Sequence, residues 1–219
     1  MCGIFAVIGS REVSSLLIDG LRKLEYRGYD SAGVATINRV NNDQNGKINV
    51  IKAKGKLINL SNLIKKEPPK GQIGIAHTRW ATHGKPNEIN AHPHLDSSGQ
   101  IAVVQNGIIE NHRELSHALK LKGIELTSET DTEIIPHLVS LEIEKALANG
   151  LSTCEQTLLT SVQKVLNVLK GTYAIAVIWS KAPNALVVAR GQAPLILGFG
   201  EGEFFCASDI PALEGFTRT

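Results

Sequence analysis

The chain is poor in cysteine and in long apolar runs, and each shortage excludes a class of protein. Only three cysteines occur among 219 residues, at Cys2, Cys154 and Cys206, without a Cys-x-x-Cys pair. This count argues against a disulfide scaffold or a cysteine zinc site and suits a reducing compartment. No apolar run could span a bilayer, and the first residues lack the charged region and cleavage site of a signal peptide. We therefore expect a cytoplasmic protein.

The chain also lacks a strong charge of either sign. Its 23 Lys and Arg against 21 Asp and Glu give a formal net charge of +2, and the basic residues are scattered. Such a balance gives no reason to expect a nucleic-acid or membrane partner. With 42% hydrophobic residues and no linker-like stretch, we expect one domain over residues 1–219 with a sizeable core.

Apolar patterns predict strands towards both ends of the chain and helices between them. Strands are predicted at 4–8, 33–37, 48–53, 73–77, 101–105, 173–179, 185–189, 195–199 and 203–207, and helices at 13–24, 57–64, 111–122, 131–149 and 153–170. The polar stretch 38–47 is predicted to be a hairpin loop. This grouping argues against regular βαβ winding and favours an α+β fold with two antiparallel sheets and helices packed outside.

The second residue, Cys2, is the candidate nucleophile. A small residue in this place normally allows the initiator Met to be removed, which would give Cys2 a free α-amine. That amine titrates near ~7.7–8.0 and can take the proton of the thiol, so that one residue carries both nucleophile and base. The alternative is that Cys2 only leads a buried strand, because free cysteine behaves as a small hydrophobe.

Polar clusters follow the first predicted helix and two predicted strands, where loops on a rigid scaffold often carry reactive groups. They are YRGYDSAG at 26–33, HTRWATHG at 77–84 with NAHPH at 90–94, and QNG at 105–107. Together with the Cys-Gly-Ile start and SETDTE at 128–133, they resemble the class II glutamine amidotransferases, whose glutaminase domains are N-terminal-nucleophile hydrolases. The resemblance covers the whole chain and implies a four-layer αββα sandwich.

The resemblance implies a role for each matching residue. Cys2 would attack the side-chain amide of glutamine, giving a γ-glutamyl thioester and ammonia. The Asn106 side chain and the Gly107 N–H would stabilise the oxyanion. Arg79 would bind the carboxylate of the substrate, which a guanidinium can clamp with two hydrogen bonds, and Asp131 would bind its ammonium group.

Five further positions match the family around the same site. Thr82 and His83 would line the substrate loop, and Trp80 would form a lid that shields ammonia from water. Arg27 and Gly28 would lie near the chain start and help to hold the amine of the nucleophile. Gln105 departs from the family pattern, because many family members have His at this position, and the polar stretch 38–47 is an insertion away from the motifs.

Simpler alternatives remain for several of these residues. An Asn-Gly pair such as Asn106–Gly107 is typical of a tight turn, Asp131 is also typical of a helix N-terminus, and an Arg such as Arg27 is commonly a solvated charge. His83 offers a rival, papain-like base for the thiol. A catalytically silent binding module of the same fold is the alternative functional class.

The family resemblance also bears on partners and cofactors. Within the family the strings are most similar to the glutaminase domain of glucosamine-6-phosphate synthases, with amidophosphoribosyltransferases as the alternative. Those synthases continue into two sugar-isomerase domains that bind fructose 6-phosphate and receive the ammonia, and we expect a homo-oligomer of the full-length enzyme. These 219 residues contain no sugar-phosphate site, so the chain alone is expected to hydrolyse L-glutamine to glutamate.

No cofactor or metal is expected. His92 and His94 have no further clustered ligand and make a poor metal site. The glycine-rich stretch 198–202 lies between two predicted strands, whereas a phosphate-binding loop opens a helix.

Overall fold

Every predicted strand and helix is present in the computed structural model, which describes residues 2–39, 46–81 and 84–217. The strands are β1 Gly3–Ile8, β2 Ser31–Arg39, β3 Gly46–Lys54, β4 Ile73–Arg79, β5 His94–Leu95, β6 Ile101–Ile109, β7 Gly171–Trp179, β8 Leu186–Gly191, β9 Ile196–Phe199 and β10 Phe204–Ala207. The helices are α1 Ser14–Arg22, α2 Leu57–Lys66, α3 His112–Leu121, α4 Ile134–Ala148 and α5 Glu155–Leu166, with short 3₁₀ helices at Glu25–Arg27 and Ile210–Ala212. None of the helices in these ranges is both long and apolar enough to cross a membrane.

The strands form two antiparallel sheets. One has six strands in the order β3-β2-β4-β1-β10-β9, and the other has four in the order β5-β6-β7-β8. Antiparallel pairing places the start of β1 beside the end of β4, with Gly3 opposite Thr78. It also places the start of β2 beside the end of β4, with Ser31 opposite Arg79. Three strand ends therefore meet at one edge, and this edge carries the site.

Side chains that alternate between the two faces of each strand explain how the sheets and helices form layers. On β1, Phe5 and Val7 pack into the cluster that contains α1 and α2, while Ile4 and Ala6 face the space between the sheets. Strand β6 alternates in the same way, with its other face towards α3, α4 and α5. Because successive strand side chains point to opposite faces, strands covered on both sides are apolar throughout. The predicted α+β, four-layer αββα sandwich is confirmed.

Several element boundaries differ from prediction. Strand β6 continues through Ile109, because it pairs with β7 along its whole length. Strand β5 was not predicted, since two residues show no periodicity. Helix α4 begins at Ile134, three residues after its predicted start. In the predicted hairpin, β2 and β3 pair as far as Arg39 opposite Gly46, and residues 40–45 of the predicted loop lie outside the described residues.

Candidate active site

The backbone of Trp80 holds the sulfur of Cys2. The Trp80 N–H donates a hydrogen bond to Sγ at 3.3 Å, and the thiol donates to the Trp80 carbonyl oxygen at 3.6 Å. Burial raises the pKa of the Cys2 thiol, so the group is protonated at neutral pH and its attack requires a base. Over residues 2–39, 46–81 and 84–217, no imidazole, amine or carboxylate forms a hydrogen bond to this sulfur.

The carbonyl oxygen of Cys2 accepts two side-chain hydrogen bonds. Asn106 Nδ2 donates at 3.1 Å and Arg27 Nε at 3.0 Å. Arg27 also pairs with Asp209 at 2.7 Å, and the Tyr26 hydroxyl donates to the same carboxylate at 2.6 Å. Arg27 is thus buried and structural rather than a solvated charge, and the group it holds is the carbonyl of the nucleophile. No sequence pattern indicates Asp209 as the partner of Arg27.

Gly28 allows the chain after Arg27 to lie against the end of β4. A Cβ at this position would be 2.7 Å from the carbonyl carbon of Arg79 and 2.9 Å from the Trp80 nitrogen. These distances are too short for any side chain. Gly28 therefore acts through close backbone packing beside the two residues that flank the thiol.

Asn106 and Gly107 lie within β6, opposite Ala174 and Tyr173 of β7. The prediction that they end a strand, and the alternative that they form a tight turn, are both wrong. Gly107 has φ = 110°, and a Cβ there would lie 2.0 Å from the Thr172 carbonyl oxygen. Glycine is required at this distortion of the strand.

The Asn106 side chain is buried and bonded at both ends. Its Oδ1 lies 3.1 Å from His77 Nε2, and its Nδ2 donates to Cys2. An amide nitrogen carries two hydrogens, so the second remains available to a group beside the sulfur. This is the donor that an oxyanion would need.

Asp131 is fixed to β6. Its Oδ2 accepts a hydrogen bond from the Ile109 N–H at 2.7 Å, and the residue is 7% exposed. Helix α4 begins at Ile134, and the preceding Glu133 makes no side-chain hydrogen bond to it, so Asp131 precedes the helix and does not belong to its first turn. The Asp131 carboxylate is therefore hydrogen-bonded to the sheet, three residues before the helix begins.

A narrow cavity brings these groups together. It is lined by Cys2, Arg79, Trp80, His92, Gln105, Gly107, Thr130, Asp131 and Thr132, and it encloses about 20 Å³, the room of about one water molecule. Burial lowers the pKa of the Arg79 guanidinium, although nearby acidic groups oppose this shift. A buried cation, a buried carboxylate and a thiol thus share one cavity, which is the charge pattern that an α-amino acid would match.

Two carboxylates anchor the chain that follows β4. Asp30 accepts from the Ala81 N–H at 2.8 Å. Glu129 accepts from the Lys85 N–H at 3.1 Å and from Asn90 Nδ2 at 2.8 Å. The sequence did not identify Glu129, which belongs to the 128–133 string.

The chain from the end of β4 to the second anchor contains three predicted site residues, at positions 80, 82 and 83. Trp80 is 43% exposed and packs edge-on against the Tyr29 ring, with centroids 5.3 Å apart. Thr82 and His83 lie outside the described residues. Of the predicted site, the structure therefore brings together Cys2, Arg27, Gly28, Arg79, Trp80, Asn106, Gly107 and Asp131.

Three buried histidines continue from Asn106 into the interior. The rings of His77 and His92 stack with centroids 4.1 Å apart, and His92 meets His94 at 4.9 Å. Burial lowers the pKa of all three, that of His77 to about 3, so the rings are neutral. No group of three or more metal-ligating side chains suited to an ion occurs within the described ranges.

Comparison with known proteins gives consistent results. A family model described as "Glutamine amidotransferase domain" matches residues 77–215. A glutamine–fructose-6-phosphate aminotransferase [isomerizing] of Thermosynechococcus vestitus is 52% identical over 219 residues, covering 100% of this chain and 33% of the relative. The protein of the same name from Clostridium acetobutylicum is 49% identical over 218 residues, with the same two shares. The chain thus spans about a third of the length of these curated relatives.

Solved structures agree with the fold. The glutamine phosphoribosylpyrophosphate amidotransferase of B. subtilis, in complex with ADP and GMP, superposes with a TM-score of 0.77 at 25% identity, covering 97% of this chain and 43% of that one. A structure described as the allosteric regulatory enzyme of purine biosynthesis gives a TM-score of 0.79 at 25% identity, with the same coverage. The family model spans more than half of the chain and includes Arg79, Asn106 and Asp131. The chain belongs to the glutamine amidotransferase domain family.

Proposed function

We propose that the chain, once Met1 has been removed, hydrolyses the side-chain amide of L-glutamine to L-glutamate and ammonia. The observation that carries this proposal is the shared cavity of Cys2, Arg79 and Asp131. A substrate that fits this cavity presents an anion to the Arg79 guanidinium and a cation to the Asp131 carboxylate while the Cys2 thiol attacks it. Glutamine has these two groups and a side-chain amide that the thiol can attack.

In the proposed first step, the Cys2 sulfur forms a bond to the amide carbon, and the thiol proton passes to the α-amine of the same residue. The carbonyl oxygen becomes an oxyanion, which Asn106 Nδ2 and the Gly107 N–H stabilise. One such donor typically contributes ~2.7–4 kcal/mol to the transition state. The ammonium of Cys2 then returns the proton to the leaving nitrogen, the C–N bond breaks, and ammonia departs. Water hydrolyses the γ-glutamyl thioester to glutamate and regenerates the thiol.

Substrate binding involves the rest of the site. Arg79 holds the α-carboxylate and Asp131 the α-ammonium, while Thr82 and His83 contact the substrate from the loop. The cavity measures only about 20 Å³, and we propose that the exposed Trp80 ring in its wall moves as glutamine enters. When Trp80 returns, it excludes water and keeps ammonia from leaking.

In a longer protein, we propose that the ammonia serves to convert fructose 6-phosphate to glucosamine 6-phosphate. The support is the identity of 52% to proteins named glutamine–fructose-6-phosphate aminotransferase, compared with 25% to the phosphoribosylpyrophosphate amidotransferase. Residues 1–219 are then the amidotransferase domain, and sugar-isomerase domains on the remaining two thirds bind the sugar phosphate. We place this enzyme in the cytoplasm as a homo-oligomer.

The test is a glutaminase assay on the purified chain, with removal of Met1 checked by mass. Wild type is expected to release glutamate and ammonia in equal amounts, and Cys2→Ala is expected to release neither. Correctly processed wild-type protein that binds glutamine without releasing glutamate would instead favour the silent binding module. Release by Cys2→Ala would exclude the thioester mechanism.

A further inference from the structure

The orientation of the Asn106 amide is determined by the Cys2 carbonyl oxygen. The terminal atom of Asn106 that lies 3.1 Å from this oxygen must be Nδ2, because Oδ1 in its place would set two acceptors against each other. The other terminal atom, Oδ1, therefore faces His77 Nε2 at 3.1 Å. An acceptor in that position requires a proton on Nε2.

We propose that His77 is a positioning residue, whose Nε2–H tautomer holds the Asn106 amide with Nδ2 towards Cys2 and the reacting oxygen. The inference rests on the proposed glutaminase reaction and adds to it a residue that touches neither substrate nor sulfur. His77 acts through the oxyanion donor.

The surroundings of His77 support this role. The residue is fully buried in the middle of the six-stranded sheet, opposite Ile4 of β1 and Gly33 of β2. Burial lowers its pKa to about 3, opposed by hydrogen bonding to Asn106, and its other ring nitrogen, Nδ1, has no hydrogen-bond partner among the described residues. A neutral imidazole carries its proton on only one of its two nitrogens. A proton on Nε2 therefore means that Nδ1 has none.

Stacking fixes the ring itself. His92 lies parallel to His77, at 4.1 Å between centroids and 19° between planes, and its Nδ1 accepts from the Gln105 N–H at 3.2 Å. The ring of His77 is therefore held on one side by a second anchored ring. Without the Nε2–H donor, the Asn106 amide would lose one of the two contacts that distinguish its orientations, and the flipped form would present an acceptor to the oxyanion.

The first test needs no substitution. In protein labelled with ¹⁵N-histidine, the couplings between ring nitrogens and ring protons distinguish the two tautomers, and a His77→Gln spectrum assigns the signal. We expect the Nε2–H tautomer of His77, unchanged from pH 5 to pH 8. An Nδ1–H tautomer, or titration near the ordinary histidine value of ~6.5, would overturn the proposal. This outcome does not depend on whether the chain hydrolyses glutamine.

The second test separates positioning from packing. His77→Gln can place an amide donor near the position of Nε2, whereas His77→Met has similar length and no donor. We expect kcat to fall about 10- to 100-fold in His77→Met, part of the loss seen when an oxyanion donor is removed, with KM for glutamine unchanged. In His77→Gln, kcat should stay within about threefold of wild type. Equal losses in both variants, or a loss confined to KM, would contradict the positioning role.

A matched control uses a second buried histidine. His137 is 4% exposed, belongs to α4, and its Nδ1 lies 3.3 Å from the Ser97 hydroxyl; within the described residues it has no hydrogen bond to His77, Asn106 or Cys2, so His137→Met should leave kcat unchanged. If His77→Met does not fold, the tautomer and the kcat of His77→Gln still decide the question. If wild type lacks glutaminase activity while the tautomer is Nε2–H, the proposed function fails and the hydrogen-bond assignment stands.

Discussion

Replacing Asn106 by alanine should have two separable consequences. The variant loses the Nδ2 donor to the reacting oxygen, which typically lowers kcat by 10²- to 10³-fold, or ~2.7–4 kcal/mol. It also removes the acceptor at 3.1 Å from His77 Nε2 and one of the two donors to the Cys2 carbonyl. A buried donor left without a partner costs roughly 1–3 kcal/mol of stability. We therefore expect a folded but less stable protein whose defect lies in kcat.

Steady-state glutamate release and urea unfolding measure the two effects independently. KM for glutamine should change little, because the lost hydrogen bond forms chiefly in the transition state. Asn149→Ala is the control, since Asn149 is an exposed asparagine at the end of α4. A kcat for Asn106→Ala within about threefold of wild type would refute the assignment of this side chain to the oxyanion.

Three further predictions follow from charge, strain and protonation. Arg79→Lys should raise KM for glutamine about tenfold or more, because an ammonium cannot form the two parallel bonds of a guanidinium; an unchanged KM would show that the carboxylate binds elsewhere. Gly107→Ala should lower the melting temperature and activity together, since its φ of 110° and the 2.0 Å approach to Thr172 leave no room for Cβ, and backbone strain alone costs ~1–3 kcal/mol. The His77 pKa of about 3 in the folded state lies below the unfolded value of ~6.5, so the unfolded chain binds more protons in acid. The contribution of His77 to the free energy of unfolding should be constant above pH 7 and should fall by up to about 1.4 kcal/mol per pH unit between pH 6 and 4. Urea unfolding at several pH values measures this fall, which should be shallower in His77→Gln.

The elements were predictable because their causes are local. Strand β1 is apolar on both faces, and the structure shows why, since Phe5 packs under α1 while Ile4 faces the other sheet. No local sequence pattern shows which strands pair with each other. The extension of β6 through Asn106 and Gly107 depends on β7, whose opposing residues come more than sixty positions later, so a polar Asn-Gly pair was mistaken for the end of a strand.

In the candidate site, too, some features could be predicted from local sequence and others could not. Residues within motif strings, such as Cys2 and Arg79, could be proposed from their resemblance to a family. The contacts that orient them could not be predicted, because Arg27 pairs with Asp209 across 182 positions of sequence and His77 with Asn106 across 29. Each of these contacts joins different strands or turns, and the burial that keeps His77 neutral arises only when both sheets are assembled.

One preparation tests directly whether the α-amine of Cys2 is the base. The chain is made with a short leader in front of Cys2, ending at a protease site whose cleavage leaves Cys2 as the first residue. Glutamate release is measured before and after cleavage, with mass spectrometry recording the fraction cleaved and Cys2→Ala as the blank. The mechanism predicts no activity above the blank before cleavage and activity proportional to the cleaved fraction afterwards. Equal activity before and after would contradict it and favour a side-chain base such as His83.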